Sequence, residues 1–557
     1  MTTAGFLAEN LLQWAFYYPA VLDLRDLPLT RGETVALAES LTAYRSGDLL
    51  AALAAYPTNR AAISEAERVY LAGLLLSVGQ VAKAGSLLDV PLAAHSPVRP
   101  AAGALRTLIR AVQRSPDPTA ATPQAPSELL AASYYEQSRA GGPDSLTRAL
   151  ALAEQAVQQS PEFSYAWERL AELEFGFGRT ADALASLRRS LALAPRNAQA
   201  LALQGFLLAA DNRTRMARQA FDAALAADPA LGNAWLGRGL IRIRQGDRPG
   251  GQEDLLVAAA LEPRRALLRS YLGKGWAEAG DSTRAGRELA LAQSLDPADP
   301  TAWLYSALLK QQQHRLNEAV QDLEHSQALN DNRQLYRSQF LLDQDQAVRD
   351  VNLAAVYERE GMDRVGLREA SRAVSYDYSS YSAHQFLSDS YNNLRDPIRF
   401  DLRYDDVWLN ELLLANLLSP VGGTRLSQQL SQHEYSRLFE QDGVGLSSLT
   451  EYRSDGQWRE LASQYGRFGN TGWALDLDYE HHDGVRPNND LDRLEWYTTI
   501  KQQLSPENSV LVLTKVQSYE SGDNFQYYEP TNARPHFRFD ESQSPIALLG
   551  FHREWGP

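Results

Sequence analysis

The chain has 557 residues and no cysteine. Disulfides, thiolate metal sites and cysteine nucleophiles are thereby excluded, a composition that fits the periplasm without requiring it. It also lacks an excess of positive charge. Lys and Arg number 54 against 69 Asp and Glu, a net charge of −15, and phosphate neutralisation needs a basic face. No nucleic-acid partner is therefore expected. No stretch reaches the roughly 18 uncharged apolar residues of a spanning helix. The opening 22 residues are apolar only in patches, lack a basic lead and are interrupted by Glu9, so they do not read as a signal peptide. For an exported protein the true N-terminus is expected upstream. There is no phosphate-cradling glycine loop, nucleophile elbow or repeated pair of carboxylates. No catalytic, cofactor-binding or metal-binding residues are expected, and the chain reads as a scaffold or conduit and not as an enzyme.

What is present is repetition. Pro161, Pro195, Pro229, Pro263 and Pro297 follow one another at steps of 34 residues, and Asp331 continues the register. Trp167, Leu201, Trp235 and Trp303 stand six residues after four of those prolines; Arg269 breaks the set. Small residues come four later (Ala171, Gly205, Gly239, Gly273, Ala307), and a second small set falls at Ala183, Ala217, Gly251, Ala285 and Ala319. Small side chains let two helices approach closely, and proline ends the pair because it has no amide hydrogen. Gly178, Gly246 and Gly280 fall where a left-handed turn is needed between the helices.

This pattern resembles the tetratricopeptide repeat. The resemblance implies an α-solenoid whose inner wall is formed by the first helix of each pair. Its inward positions map onto Tyr165, Glu168 and Glu172, then Phe206, then Asn233, Leu236 and Leu240, then Lys274, then Leu304 and Leu308. Asn233 and Lys274 alone do not make the carboxylate clamp of some members. The largely apolar remainder suits an amphipathic or extended peptide, or else packs internally. The implied partner is a protein or peptide.

From about residue 396 the pattern changes. Five of the ten tryptophans lie beyond it, and apolar residues alternate with polar ones. Candidate strands are 444–453, 457–466, 471–481, 492–504, 509–520 and 545–555. In 473–481, Trp473, Leu475, Leu477 and Tyr479 share one face, while Asp476, Asp478 and Glu480 share the other. Such strands resemble an outer-membrane β-barrel, with a soluble antiparallel sheet as the alternative. The whole plan resembles bacterial proteins that join tetratricopeptide repeats to an outer-membrane barrel, the polysaccharide-export porins. About six strands are too few to close such a barrel, so a truncated chain is expected.

The expected fold is α+β and multi-domain: a segment 1–29, irregular helix pairs over 30–125, the solenoid over 126–395, a linker or plug-like helical segment 396–442, and an antiparallel region, a partial barrel, over 443–557. The expected function is a non-enzymatic scaffold that binds a protein partner and is anchored to, or continues into, an outer-membrane barrel. The alternatives are a polymer exporter and a soluble adaptor. The expected location is periplasm or outer membrane, with the cytoplasm as alternative. His384 and His433 read as surface residues. The run from Glu480 to Asp483 reads as a solvated loop in preference to a metal site, and Asn488, Asn489 and Asp490 lack the glycine and closing glutamate of an EF-hand.

Overall fold

The computed structural model describes residues 19–57, 64–113, 122–138, 144–210, 213–335, 339–394, 406–423, 425–429, 442–454, 456–505, 507–524, 530–532 and 534–554. The sequence-expected turn at Gly141 and Gly142, the amphipathic run 430–439 with His433, and most of the opening segment lie outside these residues. The chain divides into two compact units, Met1–Ile243 with Asp247–Asp345, and Gln346–Trp555.

The first unit is helical. Among the described residues six helices precede the regular array: α1 (Arg31–Ala36), α2 (Ala38–Ser46), α3 (Leu49–Ala54), α4 (Glu65–Ser77), α5 (Val81–Leu88) and α6 (Arg99–Gln113). Thr30 and Glu33 close a reciprocal capping box at the start of α1. The pairs then follow in order. They are α7 (Pro126–Ser138) with α8 (Asp144–Gln159), α9 (Ser164–Gly176) with α10 (Thr180–Leu193), and α11 (Ala198–Ala210) with α12 (Thr214–Ala227). Next come α13 (Gly232–Arg244) and α14 (Arg248–Leu261), α15 (Ala266–Glu278) with α16 (Ser282–Leu295), and α17 (Pro300–Gln312) with α18 (Leu316–Ala328). One apolar core runs from Ala20 to Leu173, joining the irregular helices to the first pairs.

The 34-residue period has a physical basis in this array. Gly178, Gly246 and Gly280 hold φ of 77°, 91° and 82° between paired helices. His314, one period beyond Gly280, takes the same left-handed backbone at φ 58°. The space vacated by Gly205 and Gly237 is filled by Phe221: a Cβ on either glycine would meet its ring at 2.6 or 2.2 Å. Gly239 and Gly251 likewise bring α13 against α14, each facing the other's carbonyl.

The second unit opens with α19 (Gln339–Arg359), α20 (Asp363–Tyr376) and α21 (Tyr381–Asn393). A short 3-10 turn, Asn330–Leu335, precedes the long α19. Helix α22 (Val407–Leu418) packs Trp408, Leu409 and Leu412 against Tyr391 of α21. The sheet follows, a six-stranded antiparallel meander: β1 (Gly443–Tyr452), β2 (Trp458–Phe468), β3 (Thr471–His482), β4 (Leu491–Ser505), β5 (Asn508–Ser521) and β6 (Phe539–Arg553). Strand β6 begins six residues earlier than expected, because 539–543 continue the ladder onto β5 past an irregularity at Lys515/Gln517. The sheet is open, with β1 and β6 as its two edges, so the expected partial barrel is corrected to an unclosed sheet.

Candidate functional site

The inward positions of the array are distributed unevenly. At its N-terminal end, the chain's own α2–α3 turn is seated on α9 and on the start of α11. Tyr165 Oη donates to the carbonyl of Tyr44 at 2.9 Å, and the rings lie 5.3 Å apart. The main-chain N–H of Arg196 donates to the carbonyl of Ser46 at 2.8 Å, and its guanidinium reaches Asp48 at 2.9 Å. Gly47 lies against Asn197 with φ 88°; a Cβ there would stand 2.6 Å from the Asn197 nitrogen, so both backbone and space require glycine. Asn197 caps α11 through Oδ1 and donates from Nδ2 to Glu168 at 2.5 Å. Burial pushes the Glu168 carboxyl up to about 8.

Glu172 is committed to Arg169, whose guanidinium is fully buried, donates to Glu172 at 2.8 Å and to Gln137 at 2.7 Å, and lies 4.0 Å over the Tyr134 ring. Tyr165, Glu168 and Glu172 thus face their own chain.

Further along, Phe206 meets Phe221 edge-on at 5.0 Å. Asn233 accepts from Arg265 at 2.7 Å. Leu236 is buried among Leu255, Leu268 and Leu272, with Leu240 beside it. Lys274 stands 5.2 Å over the Tyr305 ring and 3.8 Å from Glu278. Leu304 and Leu308 are half-buried. From Phe206 to Leu308 the inward positions carry one charged residue, Lys274; Leu236 is buried, while Phe206, Leu240, Leu304 and Leu308 are half-buried.

In the second unit, His384 is fully buried, contrary to the surface position expected for it. Its Nδ1 faces Glu411 of α22 at 2.5 Å and its Nε2 faces the Tyr378 carbonyl at 2.8 Å. His481 pairs with Asp492 across β3 and β4 at 3.0 Å. Asn488, Asp490 and Asp523 join two loops: Asn488 donates to the carbonyls of Arg534 and Phe537, Asp490 pairs with Arg538, and Asp523 with Arg534. Their polar groups serve this loop contact.

The two faces of the sheet differ sharply. One carries Arg459, Asp478, Glu480, Arg493, Glu495, Tyr497, Lys501 and Lys515, and from Glu480 to Lys515 these are buried. Arg493 bonds to Glu480 at 2.9 Å, Arg459 to Asp478 at 3.2 Å, and Tyr497 to Glu495 at 2.7 Å. The other carries Val444, Leu446, Trp473, Leu475, Leu477, Leu494, Trp496, Ile500, Val512, Val516, Leu549 and Phe551. Leu446 and Leu549 are 82% and 79% exposed, and the rest of that face is half-buried or exposed. On β3 the apolar run from Trp473 to Tyr479 spans about 20 Å of strand.

Sequence reasoning named the array positions but missed Asn197, Arg196 and Gly47, whose roles depend on a turn 150 residues away. Asp476 was placed on the polar face of its strand, but alternation did not show that it and Lys501 would be buried.

No protein-family model matches this chain, and no curated protein does. Solved structures similar to it include the yeast Tom70 (14% identical, 65% of this chain and 82% of that one, TM-score 0.36). Others are a thermophilic tetratricopeptide-repeat protein of Thermus thermophilus (23%, 33% and 99%, 0.30) and a tetratricopeptide-repeat protein of Parabacteroides merdae (17%, 48% and 93%, 0.32). The repeat assignment rests on this chain's own period and helix pairs: a helical, tetratricopeptide-like solenoid followed by an open antiparallel sheet.

Proposed function

We infer that this chain is a non-enzymatic scaffold. Its array binds a protein or peptide along the wall from Phe206 to Leu308, and its sheet turns an apolar face to the lipid of a bacterial outer membrane, with the array in the periplasm. The observation that supports the membrane half is the inversion of the sheet. A sheet in water covers its apolar face with protein and leaves polar residues outside. Here the charged face is buried and the face of Leu446, Ile500 and Leu549 is open. Outer-membrane strands alternate in this sense, apolar outward and polar inward.

Because the chain has no cysteine, single reporters are unambiguous. An environment-sensitive fluorophore at Leu446→Cys or Leu549→Cys of the full chain is expected to shift to the blue with lipid vesicles and to be quenched by brominated acyl chains. The same probe at Glu520→Cys, on the polar end of β5, is expected to stay unchanged. Equal responses at all three positions would remove the membrane half of the reading and leave a soluble adaptor.

A further inference from the structure

The inward face of the sheet carries two buried ions on neighbouring strands, Asp476 of β3 and Lys501 of β4, at 0% and 1% exposure. Each is held by the chain segment that leaves α22. Lys501 Nζ donates to the main-chain carbonyls of Asn416 and Ser419 and, at 3.3 Å, of Leu417. These are the carbonyls that a helix C-terminus leaves without partners, and a cation is favoured there. Asp476 accepts from Ser427 Oγ at 2.8 Å, from the Gln428 N–H at 3.1 Å and from Ser463 Oγ at 2.5 Å. Between the two ions, Leu417 and Leu426 meet a small apolar patch of Tyr465, Ala474 and Leu511.

This seat is made differently from the contact on the other side of α22. There, Trp408, Leu409 and Leu412 bury against α21, Ser388 Oγ donates to the Trp408 carbonyl at 2.6 Å, and Arg425 pairs with Asp389. On the sheet side, both side-chain ends of Asn416, the Thr499 hydroxyl and Gln428 Nε2 are buried without a hydrogen-bond partner among the described residues. Buried polar groups are ordinarily satisfied, and each one left without a partner costs the contact its desolvation. The sheet recognises the segment through its main-chain carbonyls, the Gln428 N–H and the Ser427 hydroxyl, beside the apolar contacts of Leu417 and Leu426.

We propose that the helix end 416–419 and the strap 425–429 form a releasable seat on Asp476 and Lys501, so that α21 and α22 part from the sheet together without either unfolding. This stands apart from the membrane reading, because it concerns contacts inside the second unit.

The test uses the full chain with one introduced cysteine and maleimide labelling. Leu426→Cys reports the seat and Ala373→Cys, buried in α20, reports unfolding of the helices. In the otherwise native chain Leu426→Cys should label faster than Ala373→Cys. Adding Lys501→Met or Asp476→Asn should accelerate Leu426→Cys at least tenfold and leave Ala373→Cys unchanged. Equal labelling of the two native-background reporters overturns the proposal. So does an unchanged Leu426→Cys rate in both variants, or a rise in step with Ala373→Cys. If one variant fails to fold, the native-background comparison still decides.

Discussion

Arg269 donates from Nε to the carbonyl of Pro263 at 3.1 Å, the bond that Trp235 makes from its indole to Pro229 at 2.8 Å. Trp167 and Trp303 repeat it to Pro161 and Pro297. At four of the five positions the six-residue spacing thus carries a hydrogen bond that satisfies the carbonyl of the proline closing the previous pair; Leu201 has no side-chain donor and fills its position by volume alone. Arg269 breaks the residue type and keeps the donor.

From this it follows that Arg269→Trp should keep the bond to Pro263 and Arg269→Leu should lose it, while both lose the Glu288 ion pair at 3.0 Å. Net hydrogen bonds contribute about 0.5–1.5 kcal/mol and exposed ion pairs about 0–1. The ion pair is absent from both, so urea denaturation should place Arg269→Leu below Arg269→Trp by the bond alone, about 0.5–1.5 kcal/mol. Equal midpoints would reduce the spacing to packing alone.

The glycines divide by what surrounds them. Gly205→Leu must displace the Phe221 ring, and Gly239→Leu must push α13 from α14; overpacking of this kind costs about 1–3 kcal/mol. Gly85 lies in α5 with nothing within 4 Å of an added Cβ, so Gly85→Ala should stabilise by about 0.5–1 kcal/mol. His314→Gly relieves a left-handed backbone and should also stabilise, by about 0.5–1 kcal/mol. Thermal melts that move all four variants in one direction would contradict the assignment.

The helix pairs were legible because prolines, small residues and turn glycines at a fixed step each answer a local steric demand. The strands were legible because their alternation has period two. The seating of Tyr44, Gly47 and Asp48 on Tyr165 and Asn197 was not, since no local pattern encodes a contact between an irregular helix turn and a repeat 120–150 residues later. The burial of His384 was hidden for a similar reason: Glu411 reaches it from a helix that read as a linker. Alternation alone left open which sheet face would be covered, and only the placement of α22 and the strap on the side of Asp476 and Lys501 decided it.

Glu168 makes the first unit sensitive to pH. Its carboxyl is raised from 4.5 to about 8 by burial. Between those values the folded chain binds a proton that the unfolded chain does not, so stability falls as pH rises from about 4.5 to about 8. Glu168→Gln retains an acceptor for Asn197 and carries no charge. It should match the parent near pH 5 and melt at a higher temperature above pH 8; parallel profiles would show that Glu168 is solvated.

Lys501 acts with the opposite sign in the second unit. Burial lowers its ammonium from 10.5 to about 7. Between about 7 and 10.5 the unfolded chain binds the extra proton, so the stability of the sheet unit should rise with pH across that window. Lys501→Met should flatten the profile. A native profile that falls from pH 7 to pH 10 would mean that the carbonyls of Asn416 and Ser419 hold the charged form more strongly than burial opposes it.

The sheet allows lipid exposure to be separated from water exposure by one pair of substitutions. Leu549 is 79% exposed on the apolar face, and Glu520 is exposed on the same face at the polar end of β5. If that face meets water, Leu549→Lys replaces an exposed leucine by a solvated cation, and surface changes of this kind stay within about 0.5 kcal/mol. If it meets lipid, the ammonium must leave water, at a cost of about 2–4 kcal/mol near the bilayer midplane and about 0–1 near its edge. Glu520→Lys is harmless in either setting. Denaturation of the full chain reconstituted in vesicles should therefore destabilise Leu549→Lys by a few kcal/mol relative to Glu520→Lys, while the helical signal of the array is unchanged. If the two variants unfold together, the open face of the sheet is a water-exposed or protein-covered surface, and the array has no membrane anchor in these strands.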